Sequence, residues 1–148
     1  MIIRPATARD IPTILLLEQN AENAAHWPAE RYAEAIGVED SRRLILVVED
    51  IEIRGLGVVH RIGPEWEIEN IVVSSSFRRK GIAFSLLREF FSLARQMGAQ
   101  WLFLEVRESN LAARALYEKC GFAQAGERRG YYSRPRESAI LYRYQPEA

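Results

Sequence analysis

Within the stretch Asn70–Ala94, reading NIVVSSSFRRKGIAFSLLREFFSLA, a β-branched run (Ile71, Val72, Val73) leads through a basic turn into a helix with apolar residues at helical spacing. Arg78, Arg79 and Lys80 precede Gly81, Ile82 and Ala83, and a helix that starts there aims several unpaired backbone N–H groups at whatever lies in front of it. Such an end binds anions. Gly81 lacks a Cβ and so lets a ligand approach the backbone, and the three cations favour polyphosphate. The chemistry on offer is the holding of a phosphate-bearing cofactor by a strand, a turn and a helix. Two commoner phosphate patterns are excluded: Gly55-Leu56-Gly57 has His60 where a dinucleotide fingerprint needs its third glycine, and no Walker A spacing surrounds Lys80. On spacing alone, a solvated basic turn capping a core helix explains the same residues equally well, with Ala83, Leu86, Leu87, Phe90, Ala94 and Met97 as core. Further along, Trp101–Val106 is a largely apolar strand carrying a carboxylate, Glu105, near its end, and Asn110 and Tyr117 follow on the next helical stretch.

The elements that must position these residues are legible in order. Ile2–Arg4 reads as a short strand. Thr7-Ala8-Arg9-Asp10 has the capping-box pattern ahead of Ile11, Ile14, Leu15 and Leu17, which predicts a helix over about Asp10–Asn23. An aromatic loop, Ala25-His26-Trp27-Pro28, leads to a short helix over Ala29–Ile36 stopped by Gly37. Leu44–Glu49 and Leu56–Arg61 form a predicted antiparallel hairpin, with Trp66–Val73 the next strand. The long helix after Gly81 is closed by Gly98, and the strand Trp101–Val106 precedes a helix over Asn110–Lys119 that ends at Gly121. Two strands, about Gln124–Tyr132 and Ala139–Tyr144, complete a β-α-α-β-β-β-α-β-α-β-β order. This is a mixed α/β domain spanning 1–148, and pattern alone does not fix its sheet order.

Composition narrows the class. A chain of 148 residues that is 48% hydrophobic and 27% charged can bury roughly two thirds of its unfolded surface as one domain. Lys plus Arg and Asp plus Glu both number 20, so no global basic field argues for nucleic acid as a partner. One cysteine, Cys120, permits no internal disulfide, and with only His26 and His60 beside it there is no zinc set. Both histidines are expected to face solvent, and Cys120 to pack as a small apolar residue. No apolar run approaches the ~18 residues of a membrane span and no signal-peptide region opens the chain, so a cytoplasmic protein is expected.

Two motifs in sequence carry a resemblance. Arg78-x-x-Gly81-x-Ala83 and Asn110-x-x-Ala113-x-x-Leu116-Tyr117-x-x-x-Gly121-Phe122, separated by a strand, resemble the acyl-CoA motifs of the GNAT acetyltransferase superfamily. Within it the chain looks most like the RimI-type ribosomal-protein-alanine N-acetyltransferases. The matching residues are His26-Trp27-Pro28, Asn70-Ile71-x-Val73, Leu104-Glu105-Val106-Arg107 and Arg128-Arg129-Gly130-Tyr131-Tyr132. The family usually has a longer loop ending in Glu-Asp after the paired tyrosines, where this chain has Ser133-Arg134-Pro135-Arg136-Glu137-Ser138.

The resemblance implies a mostly antiparallel central sheet flanked by helices, with acetyl-CoA held where two central strands splay. It implies that Ile71, Val72 and Val73 align the pantetheine arm through backbone groups. Arg78, Arg79, Lys80, Gly81, Ile82 and Ala83 would then anchor the pyrophosphate, with Asn110 and Ala113 nearby. It implies Glu105 as the base, with Glu69 a second candidate through a water, and Tyr117 as the acid that protonates the leaving sulfur. Trp27, Tyr131 and Tyr132 would line the peptide groove. The implied reaction is direct transfer of acetyl to an N-terminal α-amino group, on alanine of a small-subunit ribosomal protein, by a monomer or weak dimer without membrane or nucleic acid. Such transfer needs no covalent enzyme intermediate, so the lack of a Ser/His/Asp or Cys/His set is no objection. An α-amino group of pKa ~7.8 is about a tenth neutral at pH 7, whereas a lysine near ~10.4 is almost wholly charged, so a modest base suffices for a chain terminus. The simpler readings are an ion pair of Glu105 with Arg107, a packing role for Tyr117 and for Trp27, and an N-cap role for Asn110. The rival functions are small-molecule or lysine acetylation, and a sensor that binds acyl-CoA without turnover.

Overall fold

A computed structural model describes residues 1–21, 24–38, 41–78 and 81–146. The elements follow the predicted order: β1 (Ile2–Pro5), α1 (Ile11–Gln19), α2 (Ala29–Ala35), β2 (Arg43–Asp50), β3 (Glu52–Ile62), β4 (Glu65–Val73), α3 (Ile82–Gln96), β5 (Trp101–Arg107), α4 (Leu111–Lys119), β6 (Ala123–Ser133) and β7 (Arg136–Tyr144). The strands form one sheet in the order β1-β2-β3-β4-β5-β7-β6. Every neighbouring pair is antiparallel except β4 and β5.

Several boundaries differ from the sequence expectation, each for a local reason. α1 is entered through a 3-10 turn at Ala8–Asp10, and its C-cap is Asn20; the predicted end at Asn23 lies outside the described residues. Ile36 is extended, which ends α2 at Ala35. β3 begins at Glu52, not Leu56, because the chain reverses over Ile51 alone, which adopts φ +65° between the paired Asp50 and Glu52. β7 begins at Arg136, not Ala139, because Ser133 pairs with Arg136 in a tight hairpin.

The sheet separates two cores. On one face Ile82, Leu86, Leu87, Phe90 and Ala94 of α3 pack on Leu46, Val48, Val59, Trp66, Leu102 and Leu104. On the other, Ile14 of α1, Tyr32 of α2 and Trp27 pack on Ile45, Val47, Leu56, Val58 and Val72. The first core depends on the two strand glycines. A Cβ at Gly57 would stand 2.5 Å from Phe90 Cε2 and one at Gly55 would stand 2.8 Å from Ile82 Cγ2, so their absence is what seats α3 against β3. Gly57→Ala is therefore expected to cost ~1–3 kcal/mol, because the added methyl would overlap the fully buried Phe90 ring. A lowered urea midpoint checks this, and an unchanged midpoint would show that α3 can shift freely.

At the opposite corner, Asp10 accepts from the Thr7 N–H at 2.7 Å and is paired with Arg4 at 2.8 Å. The Arg4 guanidinium, aided by the Thr7 N–H, holds the Asp10 carboxyl at about 2, below its ordinary 3.8. A depressed folded-state value stabilises above the unfolded one and is lost as pH falls through the folded one. Asp10 thus contributes about 2 kcal/mol at pH 5 that fades between pH 4 and 2. The stability gap between wild type and Asp10→Asn, measured by denaturant unfolding at pH 5 and at pH 2, is expected to shrink by that amount; a constant gap would count against it.

Candidate active site

β4 and β5 are hydrogen-bonded only over Glu65–Glu67 against Trp101–Phe103. Beyond that point they part, while β3 continues along the other edge of β4 as far as Val73. Among the described residues, no strand pairs with the β5-facing edge of Ile68–Val73, which leaves a row of backbone donors and acceptors for an extended ligand. A cavity of about 620 Å³ fills the gap, lined by Ile71 and Val73 of β4, Glu105 of β5, and Ala113 and Tyr117 of α4. Glu69, Arg78, Ala83, Asn110 and Tyr132 also reach it.

A bulge in β4 decides which side chains face which core. Val59 pairs with Ile68 and Val58 with Asn70, so Glu69 is an extra residue, and an extra residue reverses the in-out alternation after it. Trp66 and Ile68 accordingly belong to the α3 core, whereas Val72 belongs to the α1/α2 core and Ile71 and Val73 return to the α3 side. Val72 is buried (3% exposed), so only its backbone can serve a ligand.

At the mouth on the α3 side, Gly81 caps the helix at φ +78° with nothing within 4 Å of the place of a Cβ. Its glycine is required by that left-handed conformation as well as by access. The first helical bond runs from the Ser85 N–H to the Gly81 carbonyl at 2.9 Å, leaving the N–H groups of Ile82, Ala83 and Phe84 without partners inside the helix. Ile82's side chain is core. Arg78 is exposed at the cavity rim and forms no ion pair with a described residue. The expected contributions of Arg79 and Lys80 lie outside the described residues. Amides without partners inside α3, the adjacent Arg78 cation and a strand edge unpaired among the described residues lie at this cavity or its mouth, an arrangement that can hold the phosphates and extended arm of a cofactor.

On the other side of the splay, α4 starts with Asn110 as its N-cap: its Oδ1 accepts from the Ala113 N–H at 3.2 Å. The helix is tied to the sheet by the Tyr142 hydroxyl, which donates to Glu118 at 2.6 Å and accepts from Arg114 Nε at 3.1 Å. Tyr117 packs edge-on to Phe122 at 5.8 Å, and its hydroxyl makes no hydrogen bond with a described residue. Burial pushes this phenol up to about 12, so it keeps its proton across the neutral range. Cys120 is partly buried and burial pushes its thiol up, which suits packing and not nucleophilic attack.

The carboxylates are arranged differently from the simple expectation. Glu105, 15% exposed at its side chain, pairs with Arg128 Nε of β6 at 2.9 Å and not with Arg107. Arg107 instead donates to Glu137 at 3.1 Å and to the carbonyls of Pro135 and Arg134 at 3.1 and 3.3 Å, with its guanidinium 4.2 Å over the Tyr132 ring. It thereby fixes the β6–β7 hairpin tip and Tyr132 at the cavity edge. Glu69 is paired with Arg43 Nε at 2.8 Å. Glu67, on the same face, is raised by burial and by the charges of Glu69 and Glu105. His60 is half-buried against this group, its ligand atoms within 4.8 Å of those of Glu67 and Glu69, so the solvent-facing expectation is corrected; His26 is exposed as expected. Burial lowers the His60 imidazole, with Arg43 adding to the effect.

Trp27 is not on the cavity wall. It is buried (8% exposed), tilted against Tyr32 and covered by the Arg31 guanidinium at 3.9 Å, because the α1/α2 core lies beneath its loop. Tyr131 is 53% exposed and touches the edge of Tyr132 outside the cavity. Both tyrosines sit where β6 runs irregularly between Arg128 and Tyr132, with Gly130 at φ +61°. No signal in the sequence marks Arg43 as the partner of Glu69; Arg107 and Arg128 both lie in motif stretches, but their partners, Glu137 and Glu105, are set only by the fold.

A family model described as the acetyltransferase (GNAT) family matches residues 11–122. The chain belongs to the GNAT acetyltransferase family. As a GNAT acetyltransferase it is 33% identical over 135 residues to the [ribosomal protein bS18]-alanine N-acetyltransferase of Escherichia coli (strain K12), covering 89% of this chain and 88% of that one. A putative enzyme of the same name from Bacillus subtilis (strain 168) is 24% identical over 139 residues, 94% and 91% of the two chains. The crystal structure of the ribosomal-protein-S18-alanine N-acetyltransferase from Escherichia coli superposes with a TM-score of 0.87 at 29% identity, covering 99% of this chain and 94% of that chain. A spermidine N-acetyltransferase from Vibrio cholerae superposes with a TM-score of 0.86 at 21% identity over 99% and 95% of the two chains, a likeness of fold alone. This GNAT fold therefore does not by itself choose an acceptor. No helix among the described residues is long and apolar enough to cross a membrane.

Proposed function

We propose that this protein transfers acetyl from acetyl-CoA to the N-terminal α-amino group of a protein, with an alanine-starting ribosomal protein as the first candidate acceptor. The observation that carries the reading is the placing of Glu105 and Tyr117 on the wall of one cavity at the β4/β5 splay. The acceptor is suggested by the bS18-alanine N-acetyltransferase relatives, which align along most of their length.

Acetyl-CoA, when bound, supplies the activated acetyl thioester. The β4 edge from Ile71 to Val73 would hold its pantetheine arm, and Arg78 with the amides of Ile82 and Ala83 its phosphates. Glu105 takes the proton that the acceptor's ammonium gives up, with Arg128 balancing its charge until the acceptor's own cation arrives. The neutral amine would form the C–N bond as the C–S bond breaks; Tyr117, which keeps its phenolic proton at neutral pH, would give it to the departing sulfur, and the second proton lost by the nitrogen would restore the phenol. Because a chain terminus loses its proton near ~7.8, a carboxylate is a strong enough base for this step.

Incubation with acetyl-CoA and peptides that differ only in their first residue, followed by mass localisation of the acetyl group, tests the reading. Acetylation of the α-amino group, strongest on alanine, is the expected result. Acetylation confined to lysine side chains or to free polyamines would overturn it, and binding without turnover of any amine would favour a sensor.

A further inference from the structure

One wall of the cavity comes from neither of the two acyl-CoA motifs. The loop joining α1 to α2 contributes Ala21, Ala24 and Ala25 to the lining, on the face of the sheet that also carries Glu69 and Glu105. This is the amine-handling side, opposite the α3 mouth with Arg78 and Gly81. Besides the core packing of Ala21 and Trp27, the described residues of this loop are held by hydrogen bonds to two buried side chains. At one end Glu18, which is 1% exposed, accepts from the Trp27 N–H at 3.3 Å and from the Tyr32 hydroxyl. In the middle Asn70, 8% exposed, uses its whole amide on one residue: Nδ2 donates to the Ala25 carbonyl at 3.1 Å and Oδ1 accepts from the Ala25 N–H at 3.4 Å. Asn70 can point this way only because the extra residue at Glu69 has just turned the strand over.

We propose that Asn70 is a positioning residue for the acceptor, holding the α1–α2 loop as the acceptor wall of the cavity. The inference rests on the acetyl-transfer reading above. An amide is the side chain the geometry demands, since aspartate cannot donate to the Ala25 carbonyl and an aliphatic residue satisfies neither backbone group. The same strand offers its backbone to the cofactor one residue later, at Ile71, and that function does not depend on the Asn70 side chain. Loss of the clamp is thus felt by one substrate and not by the other.

Steady-state kinetics of wild type, Asn70→Ala and Asn70→Asp with an N-terminal peptide and acetyl-CoA test this. The expected result is a rise of about tenfold in the peptide KM for Asn70→Ala, the loss of two part-buried hydrogen bonds to a loop. The acetyl-CoA KM and kcat are expected to stay within about twofold, because only uniform binding of the acceptor is lost. Asn70→Asp, which keeps the shape and one acceptor oxygen, is the second variant should Asn70→Ala not fold, and it is expected to raise the peptide KM several-fold. A peptide KM unchanged in either folded variant, or equal losses for both substrates, would overturn the proposal. A wild-type protein that acetylates no peptide would instead overturn the reading of the acceptor, so the two failures are distinct.

Discussion

Tyr117→Phe is expected to lower kcat about a hundredfold or more while coenzyme A affinity stays within about twofold of wild type. The substitution removes one oxygen and keeps the ring, whose edge-on contact with Phe122 and neighbouring contact with Tyr142 hold α4 in place. Packing is therefore preserved, and what is lost is a proton that burial keeps on the phenol up to about pH 12. The hydroxyl has no hydrogen-bond partner among the described residues, so its removal breaks no bond to any of them. Rapid-mixing turnover together with calorimetric titration of coenzyme A separates the two quantities. An unchanged kcat would assign Tyr117 to packing alone, and weakened cofactor binding would assign it to the cofactor.

Glu105→Gln is expected to reduce kcat/KM for a peptide about a hundredfold at pH 7, the lower range of what general-base assistance supplies. Glutamine keeps the length and an oxygen that can still accept from Arg128, so the β5–β6 contact survives while proton acceptance does not. The loss is expected to narrow as pH rises past ~7.8, where the acceptor amine is neutral without help. A pH profile of kcat/KM from 6.5 to 9.5 reads this directly. Glu69→Gln run in parallel decides between the two carboxylates: a larger loss there, or a pH-independent deficit in Glu105→Gln, would remove Glu105 from the role of base.

The succession of elements was legible because it is written in local periodicity: the spacing from Ile82 to Ala94 and the alternation along Trp101–Val106 need no distant partner to be read. Sheet order was not legible, since the parallel pairing of β4 with β5 joins segments separated by the whole of α3. The motif residues Arg78, Ala83, Glu105, Asn110 and Tyr117 do meet in one cavity. Trp27 does not, because an aromatic residue in a loop reads the same whether it covers a groove or fills a core. The ion pairs Glu105–Arg128 and Glu69–Arg43 connect residues 23 and 26 positions apart, and no local spacing signals them. The glycines of β3 carried a signal that pointed elsewhere: they resembled half of a nucleotide fingerprint, and they serve the packing of Phe90 and Ile82.

The extra residue at Glu69 makes β4 unforgiving of changes in length. Its first half is aligned to β5 by Glu65–Glu67, and its second half presents Ile71 and Val73 to one side and Asn70 and Val72 to the other. Side chains along it can be exchanged one at a time with graded effects. Deleting a single residue between Ile68 and Val73 would exchange the two sides at once, burying what must be reached and exposing what must be buried. Related chains can therefore be expected to drift in composition through this strand while keeping its residue count fixed, and to place their insertions in the turns on either side.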